Sequence, residues 1–95
     1  MMLGTVVGTV VSSSKNDRMQ GSRYLLVAKS NQKGEKKGDT IVALDIIGAG
    51  NSELVMVAEG SSARETEITL NAPMDAVIVG IVDLIEERGQ IVYRK

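Results

Sequence analysis

An extended chain sends successive side chains to opposite faces, and over Asp75–Ile85 neither face is polar. One side carries Ala76, Ile78, Gly80, Val82 and Leu84, and the other carries Val77, Val79, Ile81 and Ile85, interrupted only by Asp83. The opening segment Leu3–Val11 behaves the same way, with Leu3, Thr5, Val7, Thr9 and Val11 set against Gly4, Val6, Gly8 and Val10. Strands with two apolar faces need cover on both. Helices supply that cover in α/β proteins, but no long amphipathic helical pattern occurs in this chain. With 95 residues, its own core is thin. It has no cysteine and no histidine, which removes disulfides and the commonest zinc ligands together. Partner subunits are the remaining means of stabilising so small a fold.

The rest of the chain is consistent with a mainly β protein. Tyr24–Ala28 reads as a second strand, Thr40–Ile47 as a third and Glu53–Glu59 as a fourth. Asp75–Ile85 is the fifth and longest, and Ile91–Arg94 adds a short final strand after a turn at Glu86-Glu87-Arg88-Gly89. Asn16-Asp17 to Gly21 supplies turn chemistry. Asn31–Asp39 reads as a charged, glycine-containing loop with nothing to pack, expected to be mobile. Ser62 followed by Glu65 forms a capping box, so one short helix starts there. Asn71-Ala72-Pro73 ends it. Five short strands at near-regular spacing predict a small closed or partly open barrel. No linker divides the chain, so residues 1–95 are expected to be one domain. The barrel interior takes one face of each strand, and identical neighbours are the economical cover for the other. The alternative is a monomeric sandwich with a few exposed valines.

Composition narrows the function. The only aromatic residues are Tyr24 and Tyr93, and the net charge is −1. Neither offers a footprint for nucleic acid or anionic lipid. The apolar run Met1–Val11 is too short to span a bilayer and lacks a basic leader, so a soluble, cytoplasmic protein with no membrane association is expected.

The candidate motifs favour structure over catalysis. Gly48-Ala49-Gly50 lacks the third glycine of a dinucleotide loop, because Glu53 stands there. It reads as a tight inter-strand turn using positive φ. In a ring, such a loop can also converge on the symmetry axis and line a pore with backbone amides. Ser61, Ser62 and Arg64 suggest a nucleophile and an oxyanion clamp, but no histidine is available and no lysine has a recognisable spacing to them. Helix capping by Ser62 and an ion pair to Arg64 are favoured. Asp45, Asp75 and Asp83 show no clustered ligand pattern, and turn capping or salt bridges to Arg64, Arg23 or Arg18 are favoured for them. No catalytic residue, metal site or cofactor is assigned.

The order and spacing of several segments resemble the EutN/CcmL family, the pentameric vertex proteins of bacterial microcompartments. The segments are Leu3–Val11, Tyr24-Leu25-Leu26-Val27, Val42-Ala43-Leu44-Asp45 with Ile47-Gly48-Ala49-Gly50, Gly60–Arg64 and Asp75–Asp83. The resemblance implies an OB-like five-stranded barrel with a short helix. It also implies a homopentamer that fills the fivefold corners of a shell tiled by hexameric proteins. Gly48, Ala49, Gly50, Asn51 and Ser52 would then line a central pore, and Ser61, Ser62, Arg64 and Asp83 would lie at subunit interfaces. This chain departs from the family pattern at Ser52, where a further glycine is common, and in the lysine-rich Gln32–Asp39. Two other functions are compatible with such a barrel: an OB-type nucleic-acid-binding module, and a small enzyme subunit using carboxylates and a divalent cation. The first normally needs stacking aromatics and a basic groove, both of which this chain lacks.

Overall fold

A computed structural model describes residues 1–11, 23–60 and 76–95. Among these described residues, seven strands run in chain order: β1 (Met2–Val10), β2 (Arg23–Ser30), β3 (Lys36–Asp45), β4 (Leu54–Glu59), β5 (Ala76–Ile81), β6 (Leu84–Glu87) and β7 (Gln90–Arg94). The first five close into a barrel in the order β1-β2-β3-β5-β4, and β6 and β7 form a separate two-stranded hairpin. All barrel pairings are antiparallel except β3–β5, a parallel contact of two residue pairs, Leu44 with Val77 and Asp45 with Ile78. The expected OB-like five-stranded barrel is therefore present. The predicted helix at Ser62–Glu65 and the turn at Asn16–Gly21 lie outside the described residues.

The requirement for two-sided cover is visible in the packing. Val6, Leu25, Val27, Ala43, Val55 and Ile78 meet inside the barrel, together with Ala49 from a loop. A second cluster of Leu44 and Val77 forms on the outer wall, joined by Tyr24, Ile46 and Val79. Adjacent residues of β3 and β5 thus point into two different apolar clusters, as alternation along a strand requires. Other outer-wall positions remain open. Val7, Val42 and Met56 are large apolar residues with substantial exposure.

Three expectations are corrected. First, Asp75–Ile85 is not one long strand, because the barrel portion ends at Ile81. Its partner β4 begins at Leu54, and the Val82 amide donates to the Leu54 carbonyl at 2.8 Å. Beyond that point no barrel strand continues alongside, and the chain turns outward to pair with β7. Second, the turn of that hairpin is only Arg88-Gly89, with φ of 54° and 77°. Two positive φ values define a two-residue primed turn, so Glu86 and Glu87 remain in the strand.

Third, Asn31–Asp39 is neither wholly loop nor without packing partners. Lys36–Asp39 belong to β3, extending the β2–β3 ribbon beyond the barrel. Asn31 organises the turn: its Oδ1 accepts the amides of Lys33 at 2.9 Å and Glu35 at 3.0 Å. Its Nδ2 donates to Glu35 Oε1 at 2.9 Å. Gln32 Nε2 donates to both carboxylate oxygens of Glu87 at 3.2 Å, joining this turn to the β6–β7 hairpin. Gly34, at φ 80°, lies so close to the Tyr93 ring that a Cβ there would fall 2.7 Å from Tyr93 Cδ1. Glycine supplies the backbone conformation and the room for the ring together.

Candidate functional site

The segment joining β3 to β4 is held by two carboxylates placed at its ends. At the β3 end, the Asp45 side chain is 1% exposed and bonded at both oxygens. Oδ1 accepts the amides of Ile47 at 3.1 Å, Gly48 at 3.0 Å and Ala49 at 3.1 Å. Oδ2 accepts Arg23 Nη1 at 3.0 Å, from the cross-strand partner on β2. Aspartate suits this place because its short side chain can cap the amides that immediately follow it. Both roles weighed for Asp45 from sequence, turn capping and a bridge to Arg23, occur in one residue.

At the β4 end, Glu53 Oε1 accepts the Gly50 amide. The Glu53 amide donates back to the Gly50 carbonyl at 3.2 Å. Glu53 Oε2 meets Lys95 Nζ at 2.7 Å, and Asp83 Oδ1 is 3.9 Å from the same ammonium. The Ser52 amide donates to the Val6 carbonyl at 2.8 Å and the Val6 amide to the Glu53 carbonyl at 3.0 Å, which fixes the end of the loop on β1.

These contacts revise how the loop can act. The amides of residues 47–50 donate to Asp45 and Glu53, so a pore lined with backbone amides does not follow. The Ala49 side chain lies in the barrel core and does not face solvent. Gly48 is exposed at φ 81°, fulfilling the expected use of glycine at positive φ. Asn51 and Ser52 are exposed, and Ser52 adopts φ 74°. Serine thus occupies a left-handed conformation that glycine adopts without steric cost. Asp83 is 82% exposed. Ser61, Ser62 and Arg64 lie outside the described residues. The sequence reading missed Glu53 and Lys95 as a pair, because 42 positions separate them and no spacing rule connects them. Among the described residues, no three acidic side chains gather into a possible metal site.

The Glu53–Lys95 contact shifts both groups. The hydrogen bond from Lys95, followed by that from the Gly50 amide, lowers the Glu53 pKa below the ordinary glutamate value. The same bond raises Lys95. A carboxylate lowered on folding contributes its stability above the unfolded value and loses it as the pH falls through the folded one. The hold on Gly50 is therefore expected to persist through neutral pH and to fail at acid pH. A carboxyl-carbon NMR titration should place the Glu53 midpoint below the ordinary glutamate value, and Lys95→Gln should move it upward. An unchanged midpoint in that variant would separate Lys95 from the shift.

The family model described as "Ethanolamine utilisation protein EutN/carboxysome" matches residues 1–83. Among curated proteins, the chain is similar to the bacterial microcompartment shell vertex protein GrpN of Rhodospirillum rubrum (strain F11). The two are 48% identical over 86 residues, covering 90% of this chain and 97% of GrpN. Among solved structures, Gloeobacter violaceus CcmL superposes with a TM-score of 0.91 at 38% identity, covering 100% of this chain and 98% of that one. The structure described as the GrpN pentameric microcompartment shell protein from Rhodospirillum rubrum gives 0.81 at 47% identity, covering 92% of this chain and 99% of its own.

Proposed function

From the premise that the chain belongs to the EutN/CcmL family, we propose that it is a structural shell protein that caps the fivefold vertices of a bacterial microcompartment as a homopentamer. The observation that carries this reading is the near full-length match to GrpN at 48% identity, a vertex protein whose solved structure is described as pentameric. The physical counterpart is an outer barrel wall still carrying exposed Val7, Val42 and Met56 after one subunit has folded. In a cyclic ring one face of each subunit meets a different face of the next, and the ring closes when the rotation between them does. A closed shell built from a sixfold lattice needs fivefold corners, and five copies of one wedge supply them. Hexameric shell proteins are the partners such a corner requires.

Such work is geometric, and we read the chain as non-enzymatic, without cofactor, located in a cytoplasmic shell. Residues 1–95 act as one domain in this reading. Gly48 and Gly50–Ser52 surround the axial opening, with Ala49 anchoring the loop from within the core. Ser61, Ser62, Arg64 and Asp83 lie at subunit contacts. No feature of the described residues favours the nucleic-acid module.

Native mass spectrometry tests the assembly. A peak at five times the 10.1 kDa subunit is expected. A stable soluble monomer in dilute solution would overturn the proposal. Gly80→Glu sharpens the test. Among the described residues, a Cβ at Gly80 would meet only Met56, at 3.7 Å and beyond, on the outer wall. The first side-chain atom therefore meets ordinary contacts there, and the glutamate would place a charge on a wall assigned to subunit packing. The expected outcome is a folded chain with wild-type far-ultraviolet dichroism that no longer forms the five-subunit species. An intact ring would remove that wall from the interface.

A further inference from the structure

The two carboxylates that hold the β3–β4 loop differ in burial, and that difference divides the loop. Asp45 is enclosed and braced by Arg23, and its three amide partners, at residues 47–49, lead into the buried Ala49. Glu53 is 21% exposed, and the lysine that braces it is 48% exposed. A buried, multiply bonded acceptor is little affected by salt, whereas an ion pair reached by solvent is screened. We infer that Glu53 and Lys95 are positioning residues for an adjustable lip at Gly50–Asn51, while Asp45 holds residues 47–49 as a fixed base. The inference rests on the vertex reading for the lip's place at the axial opening, but not for the lip itself.

The lip has a defined hinge at each end. On one side Ala49 is locked in the core. On the other the Ser52 amide is bonded to the Val6 carbonyl of β1. Between them, Gly50 depends on the Glu53 side chain and on the return bond from the Glu53 amide. Lys95 follows β7, and its own amide donates to the Asp83 carbonyl at 2.9 Å. The position of the β6–β7 hairpin is thereby linked to the loop through a single ammonium. Among the described residues, the charged groups around that ammonium are Glu53 at 2.7 Å and Asp83 at 3.9 Å.

Amide hydrogen exchange on the assembled protein tests this, with native mass spectrometry run on the same samples. Lys95→Gln, or raising sodium chloride from low to molar concentration, should speed exchange at Gly50 severalfold. Ile47, Gly48, Ala49 and Ser52 should be unaffected. Lys95→Arg should restore slow exchange and its salt sensitivity. Glu53→Gln keeps an acceptor for the Gly50 amide but should abolish the salt response. If all five amides speed up together, or if Gly50 responds to neither Lys95→Gln nor salt, the divided loop is overturned. A divided exchange pattern in a protein that forms no pentamer would sink the vertex reading alone. A pentamer without the division would sink only the lip.

Discussion

Replacing Asp45 with alanine is expected to lower subunit stability by about 3 kcal/mol, chiefly by orphaning bonded amides rather than by breaking an ion pair. The Asp45 carboxylate accepts four hydrogen bonds, three of them from consecutive backbone amides. Ile47 and Gly48 are exposed, so water can replace aspartate at their amides. Ala49 is buried, and its amide would lose its partner where water does not reach. That orphan is the costly one. Arg23 is half exposed and becomes an ordinary solvated cation when Asp45 is removed. Arg23→Ala should therefore cost under about 1 kcal/mol. Asp45→Asn should fall between the two, because its carbonyl oxygen can still serve the loop amides. Chemical denaturation at fixed subunit concentration checks this ranking, since assembly makes apparent stability depend on concentration. If Arg23→Ala matched Asp45→Ala, the ion pair would carry the stability and the account of the loop would be wrong.

Asp45 also shows how far the sequence can be read. Turn capping and a salt bridge to Arg64, Arg23 or Arg18 were both legible as options for Asp45, but that one residue does both, and with Arg23 across 22 positions, follows only from the β2–β3 pairing. The direction in which the turn points its amides was not legible. Glycine spacing identifies positive φ, but only the folded loop shows that the amides of 47–50 face back towards Asp45 and Glu53. The division at Val82–Asp83 was hidden for a different reason. Only Asp83 interrupts the apolar alternation, which resumes at Leu84 and Ile85, and what ends β5 is the start of β4, where Val55 lies opposite Ile81 and the Leu54 carbonyl accepts the Val82 amide. Lys36–Asp39 concealed a strand because the β2–β3 ribbon extends past the barrel into solvent. All four residues are exposed there, so no apolar pattern marks them. The two-faced apolar character of β5, by contrast, was legible directly, and Ile78 and Val77 occupy the inner and outer clusters as alternation requires.

The glycines of β1 provide the second large expected effect, one that sequence alone could not apportion between them. Gly4 and Gly8 sit four residues apart on the same predicted face of the strand. A methyl at Gly4 would fall inside the van der Waals envelope of Val27 Cγ1, and only 3.1 Å from both the Ala28 carbonyl oxygen and Met2 Cε. Val27 is fully buried, β-branched and stiff at χ1, and Ala28 contributes backbone, so neither can retreat cheaply. Among the described residues, a methyl at Gly8 would meet nothing nearer than Leu26 Cδ1 at 3.4 Å, an ordinary contact. Gly4→Ala is therefore expected to lose about 2–3 kcal/mol through overpacking. Gly8→Ala should stay within about 0.5 kcal/mol of the parent. For a domain of this size each kcal/mol corresponds to roughly 4–8 °C in Tm. A double variant provides the decisive comparison. Val27→Ala alone opens a cavity and costs about 2 kcal/mol, but it also removes the methyl that Gly4→Ala strikes. The pair should cost clearly less than the sum of the two single changes, since residues in contact are not additive. Additive losses, or a Gly4→Ala variant as stable as Gly8→Ala, would show that β1 and β2 do not approach as closely at Gly4 as the barrel's closure demands.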